Sequence, residues 1–165
     1  MAGEEPRGRS QMTLASLLAA LTCVVLWGSP LLAANSDVGS PVIEVWKSTT
    51  CECCGDWVKH LEANGFTVKV NAASPSMLDQ LKKEAGIGEK LASCHTAKID
   101  GYVIEGHVPA ADIKRLVAEK PDAVGLTVPG MVTGSPGMEQ GGKHDPYKVL
   151  LVKKDGTTTE VFSNH

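Results

Sequence analysis

The sequence predicts an α/β domain with the element order β-α-β-α-β-β-α, extended by a Gly/Pro-rich loop and a C-terminal β-hairpin. Three observations carry that expectation. Short β-rich apolar runs alternate with segments whose apolar residues recur at helical spacing, the pattern of strands joined by crossover helices. Asp-Gly pairs between apolar runs mark tight turns. The composition is globular, with 42% hydrophobic and 21% charged residues and a net charge of -3 over 165 residues. That balance disfavours disorder and leaves no electrostatic footprint for nucleic acid or an anionic membrane surface. Aromatic residues make up only 4%, so the core is built mainly from Val, Ile, Leu and Ala, while 17 Gly and 9 Pro place many residues in turns.

Taken in order, Val42-Ile43-Glu44-Val45-Trp46 reads as the first strand. Asp56 to Asn64, with Trp57, Val58 and Leu61 at helical spacing, reads as the first helix, stopped by Gly65. Phe66 to Val70 follows as a second strand, which a βαβ crossover sets parallel to the first. Ser74-Pro75 opens a second helix with Met77, Leu78 and Leu81 inward, ending at Gly86. Thr96 to Glu105 is a strand pair around Asp100-Gly101, and Pro109 to Lys120 a third helix on Ile113, Leu116 and Val117. This is the order of a thioredoxin-like domain. Beyond it, Gly125 to Asp145 is a Gly/Pro-rich loop, and Tyr147 to Lys153 with Thr157 to Phe162 flank Asp155-Gly156 as the closing hairpin.

Residues 1–34 have the parts of an export signal: Arg7 and Arg9, an uncharged run from Met12 to Trp27, and Ala33-Ala34 before Asn35. Cleavage after Ala34 leaves residues 35–165 as one exported domain without a stable membrane span; a retained N-terminal anchor is the alternative. Cys23 reads as an ordinary apolar leader residue, because Thr22 fits a lipoprotein signal poorly. Four of the five cysteines then remain: Cys51, Cys53, Cys54 and Cys94.

Three of these fall within four positions at the expected strand-to-helix turn, where a thioredoxin-like fold carries its redox pair. Two disulfides are difficult to draw through adjacent Cys53 and Cys54. Cys51 and Cys54 have the C-x-x-C spacing of disulfide oxidoreductases, which makes them the candidate catalytic pair. A helix N-terminus favours thiolates, and thiolates serve equally as nucleophiles and as soft metal ligands. The added Cys53 tilts the balance towards metal.

Four motifs in order extend this reading: Cys51-Glu52-Cys53-Cys54-Gly55-Asp56-Trp57, Ser93-Cys94-His95-Thr96-Ala97, Gly101 to Pro109, and Val128-Pro129-Gly130-Met131 with Gly134 to Glu139. Over roughly residues 42 to 162 they resemble the CopG-type copper proteins of the bacterial periplasm. The resemblance implies a thioredoxin-like fold whose redox pair has become a thiolate site for several Cu(I) ions. It also implies a role in copper redox conversion and resistance, with a copper-resistance or electron-transfer protein as partner. Val132 departs from the Pro that commonly follows Met131 in that family.

Soft thiolate and thioether groups suit Cu(I), and imidazole serves either oxidation state. His95, His107, Met131 and Met138 accordingly complete the candidate metal ligands with the four cysteines. Each has a plainer alternative: a backbone contact for His95, a cap of the third helix for His107, and loop filling for both methionines. His60 reads as a solvated helix residue, and His144 and His165 lack partners at diagnostic spacing. Glu52 and Asp56 are the charges expected beside the cysteines, where carboxylates oppose thiolate formation. Three function classes follow, in order: a copper-binding redox protein, a thiol-disulfide oxidoreductase, and a structural Zn or iron-sulfur module.

Overall fold

The structure is a computed structural model and describes residues 42–165; the expected leader, its cleavage site and Cys23 lie outside the described residues. Strand β1 (Val42–Lys47) leads through helix α1 (Glu52–Ala63) into β2 (Thr67–Ala72). The two strands pair in parallel from Val42–Thr67 to Lys47–Ala72, as the crossover requires. Helix α2 (Pro75–Glu84) follows, its first turn capped by Ser74, whose hydroxyl accepts the Met77 N–H. Strands β3 (Thr96–Ile99) and β4 (Tyr102–Glu105) form the expected hairpin, turning through Asp100 and Gly101, both at positive φ. Helix α3 (Ala110–Glu119) returns the chain to β5 (Gly125–Thr127), parallel to β4. Strands β6 (Lys148–Val152) and β7 (Thr159–Asn164) extend the same sheet, in the order β2-β1-β3-β4-β5-β6-β7.

The main core packs Trp57 and Leu61 of α1 and Ile113 and Leu116 of α3 onto Ile43, Val45, Ala97, Ile104 and Leu126 of the sheet. A smaller cluster of Ile87, Val103 and Val152 sits beside it. Among the described residues no helix is long and apolar enough to cross a membrane.

Several expectations need correction. Helix α1 begins at Glu52, so Cys53 and Cys54 lie inside its first turn and Cys51 caps it. Met77 is exposed, whereas Leu78 is buried as expected and Lys82 is buried with it. The start of the Gly/Pro-rich segment is strand β5. Its Gly125 lies so close to Val103 that a Cβ there would meet the Val103 carbonyl oxygen at 1.8 Å. The final turn is wider than Asp155-Gly156 alone, because the Asp155 carboxylate accepts the N–H groups of Thr157 and Thr158.

Candidate metal centre

Cys51, with extended backbone, stands at the N-cap of α1 without capping through its side chain, which leaves its sulfur free for other partners. Cys51 and Cys54 are joined as a disulfide; Cys53 and Cys94 are free thiols. Cys53 Sγ lies 3.6 Å from Cys51 Sγ, and Cys94 Sγ lies 3.3 Å from Cys54 Sγ. The four sulfurs all fall within 4.8 Å of one another. A second set, Cys54, Cys94, His95 and His107, meets the same limit. Six of the eight candidate ligands therefore converge on one point, with Cys54 and Cys94 common to both sets.

Cys94 reaches this point from the segment entering β3, and the two histidines flank it. His107 Nε2 is 3.2 Å from Cys94 Sγ, while its Nδ1 is 2.8 Å from the Pro136 carbonyl oxygen. A carbonyl only accepts, so Nδ1 carries the proton and Nε2 presents a bare lone pair to the sulfurs. His95 Nδ1 is 3.3 Å from Cys94 Sγ, but its Nε2 is buried without a partner among the described residues. Its ring instead packs on Trp57, with centroids 4.3 Å apart. Thus His107 is oriented as metal-ligating imidazoles are, by a carbonyl on the far nitrogen, and His95 is held by packing.

Burial sets the electrostatics. It pushes the Cys94 thiol up to about 11. His95 is held well below the usual imidazole range by burial first and by His107 and Lys82 next. His107 is lowered by burial, opposed by its bond to Pro136 and by Glu139. Both rings are therefore neutral at pH 7 and can donate lone pairs. A cation here has to displace the Cys94 proton, and the soft sulfur and neutral nitrogen donors suit Cu(I) and Zn²⁺ far better than Mg²⁺ or Ca²⁺.

A buried polar network lies behind Cys94, and sequence reasoning missed it. Glu105, fully buried on β4, accepts the Ser93 N–H at 2.6 Å, the Lys82 ammonium at 2.7 Å and the Thr96 hydroxyl at 2.7 Å. Lys82 also donates to Thr96 Oγ1 at 2.8 Å. Residues on both sides of Cys94-His95 are thereby fixed to one carboxylate. Glu105 must be added to Glu52 and Asp56 as a charge near the cysteines, and burial raises its carboxyl against the opposing pull of Lys82. The only sequence signal was a carboxylate inside the otherwise apolar strand Tyr102-Val103-Ile104-Glu105.

The Gly/Pro-rich segment borders the site from two sides. Gly130 N–H donates to the Ala92 carbonyl, and the Ser93 hydroxyl donates to the Gly130 carbonyl. Gly137 packs on the first turn of α1, where a Cβ would meet Trp57 N at 2.6 Å and Cys53 O at 2.7 Å. Met131 follows Gly130 and is 50% exposed; Met138 follows Gly137 and is half-buried. Other histidines stay apart. His60 is half-buried and accepts the Ala110 N–H at 3.1 Å, so it caps α3, which corrects its reading as a solvated residue. His165 Nε2 pairs with Asp112 Oδ2 at 2.8 Å, and His144 packs on Tyr147.

Comparison with known proteins adds three findings. A sequence family described as a protein of unknown function, DUF411, matches residues 91–138, the stretch that holds Cys94, His95, His107, Met131 and Met138. Two solved structures, titled copper resistance protein CopG form 1 and form 2, are each 44% identical. In both cases the match covers 76% of this chain and 98% of that chain, with a TM-score of 0.70. No curated protein matches.

Proposed function

The chain belongs to the family of the copper resistance protein CopG, and on that premise we propose that it holds several Cu(I) ions in a thiolate cluster and interconverts Cu(I) and Cu(II). The observation that carries this reading is the convergence of four sulfurs within 4.8 Å, two of which are shared with two neutral imidazoles. Four thiolates cannot separately saturate several coppers, so the sulfurs bridge. Reduction of the Cys51–Cys54 pair supplies two of the four, which makes these residues the redox-active ones. His107, with its lone pair fixed inward, is the nitrogen ligand that keeps Cu(II) accessible. Met131 and Met138 offer neutral thioethers at the solvent side, where weak ligation suits entry and exit. Copper is cargo or substrate here.

The β-α-β-α-β-β-α order, the parallel β1–β2 pair and the cysteines at the start of α1 support a thioredoxin-like fold for the first seven elements. The export signal read in residues 1–34 supports a periplasmic location for the mature domain, residues 35–165, with a copper-resistance or electron-transfer protein as the proposed partner. A second reading, thiol-disulfide oxidoreductase, is favoured by the Cys51–Cys54 disulfide. Titration of the reduced protein with Cu(I) against a competing chelator separates the two. The copper reading expects more than one tightly held ion per chain; the oxidoreductase reading expects weak binding and catalysed reduction of a protein disulfide.

A further inference from the structure

The contacts around Cys94 describe a nucleophile, a base and a group that orients the base. Cys94 Sγ is 3.3 Å from Cys54 Sγ of the Cys51–Cys54 disulfide, a contact distance from which thiol–disulfide exchange proceeds once the Cys94 side chain swings into line with the S–S bond. The thiol proton of Cys94 faces the bare Nε2 of His107 at 3.2 Å, and the Pro136 carbonyl holds the His107 Nδ1–H on the other side at 2.8 Å. Nucleophile and base lie within hydrogen-bond reach and a third group fixes the base; burial keeps the Cys94 thiol protonated at rest, so the base acts during attack and not before it. Cys51, the remaining sulfur, stands at the N-cap of α1, where unpaired N–H groups stabilise a departing thiolate.

We propose that the disulfide migrates within the site: Cys94 Sγ attacks Cys54 Sγ, a Cys54–Cys94 disulfide forms, the Cys51–Cys54 bond breaks, and Cys51 leaves as a thiolate while His107 Nε2 takes the Cys94 proton. One S–S bond replaces another, so no external oxidant or reductant is consumed. The proton lost by Cys94 balances the charge gained at Cys51. Cys54 is fully buried and stays in the disulfide throughout, while Cys94 and Cys51 are both half-buried, so migration moves the free sulfur from the segment entering β3 to the start of α1. This step goes beyond the copper reading and does not depend on it.

The test uses the full chain with Cys23→Ser and Cys53→Ser, which leaves one disulfide and one thiol among Cys51, Cys54 and Cys94. The air-oxidised, metal-free protein is treated with N-ethylmaleimide, and the label and the linked peptides are mapped by mass spectrometry. Migration predicts label on Cys51 together with a Cys54–Cys94 linkage. Label confined to Cys94, with Cys51–Cys54 intact after prolonged reaction, overturns the proposal. Adding His107→Gln should slow the appearance of label on Cys51 by at least about tenfold, because a positioned base typically contributes more than that. Circular dichroism identifies a misfolded variant, and His107→Asn then takes its place. An unchanged rate in a folded variant overturns the role of His107. Loss of copper binding in either variant has no bearing on these outcomes.

Discussion

The two sides of the centre are built differently. On one side, Cys51, Cys53 and Cys54 are delivered by four consecutive positions at a helix start, so local structure alone gathers three sulfurs. On the other, Cys94, His95 and His107 come from two ends of the β3–β4 hairpin and are held by Glu105 of β4 and by Lys82 and Pro136 from two further segments. Each side supplies three candidate ligands, the helix side by local structure and the hairpin side by tertiary packing.

The contrast breaks first at Cys94. Cys94→Ser should abolish formation of the multi-copper cluster while leaving the circular dichroism spectrum unchanged, since Ser is close in size and Ser93 and Thr96 stay anchored. Normal copper loading by this variant would reduce Cys94 to packing and leave the helix side sufficient. Next in size is the network behind it. Glu105→Leu leaves the Lys82 ammonium buried without its counter-charge and should cost about 3–5 kcal/mol in urea denaturation. Pairing it with Lys82→Met should restore most of that stability but not tight copper binding, because Ser93 loses its anchor. If the double variant binds copper as the native protein does, the network serves folding alone.

Acid sharpens the distinction between the two histidines. The folded-state pKa of His95 lies well below its unfolded value of about 6.5. The stability its neutral form allows is complete above that value and is lost as pH falls below it, towards the folded pKa. The metal-free protein should lose up to about 1.4 kcal/mol per pH unit for this one proton. His95→Leu should flatten that slope, and a slope identical to the native one would show that other groups carry it. The smallest effect belongs to the solvent side. Replacing Met131 and Met138 together by Leu should cost under about 1.5 kcal/mol at each position. It should keep thiolate-bound copper while labile copper is lost or the potential shifts; unchanged exchange and potential would make both methionines filler.

The same contrast explains what was legible in the sequence. The helix-start cysteines, the β1-α1-β2 crossover and the Asp100-Gly101 hairpin are written in short-range patterns of spacing and turn chemistry, and all are present in the structure. Glu105 and Lys82 were not legible, because a buried ion pair joins two residues that each look like surface charges in their own segment. His60 was missed for a related reason: its partner, the Ala110 N–H, is a backbone group fifty residues away. Strand β5 has three residues and begins with Gly, too short for any period to register, and only pairing with β4 and β6 defines it. Helical spacing places Met77 inward, yet the buried face of α2 is the one that carries Leu78 and Lys82, four residues apart, and Lys82 reaches Glu105 from it.

The proposed cluster requires the two sides together to hold several copper ions through shared sulfurs. X-ray absorption at the copper edge, on the reduced protein loaded anaerobically with Cu(I) and assayed for copper per chain, tests it most directly. Shared sulfurs predict more than one copper per chain, sulfur-dominated coordination and short copper–copper vectors. A single copper with only nitrogen and oxygen neighbours would contradict it.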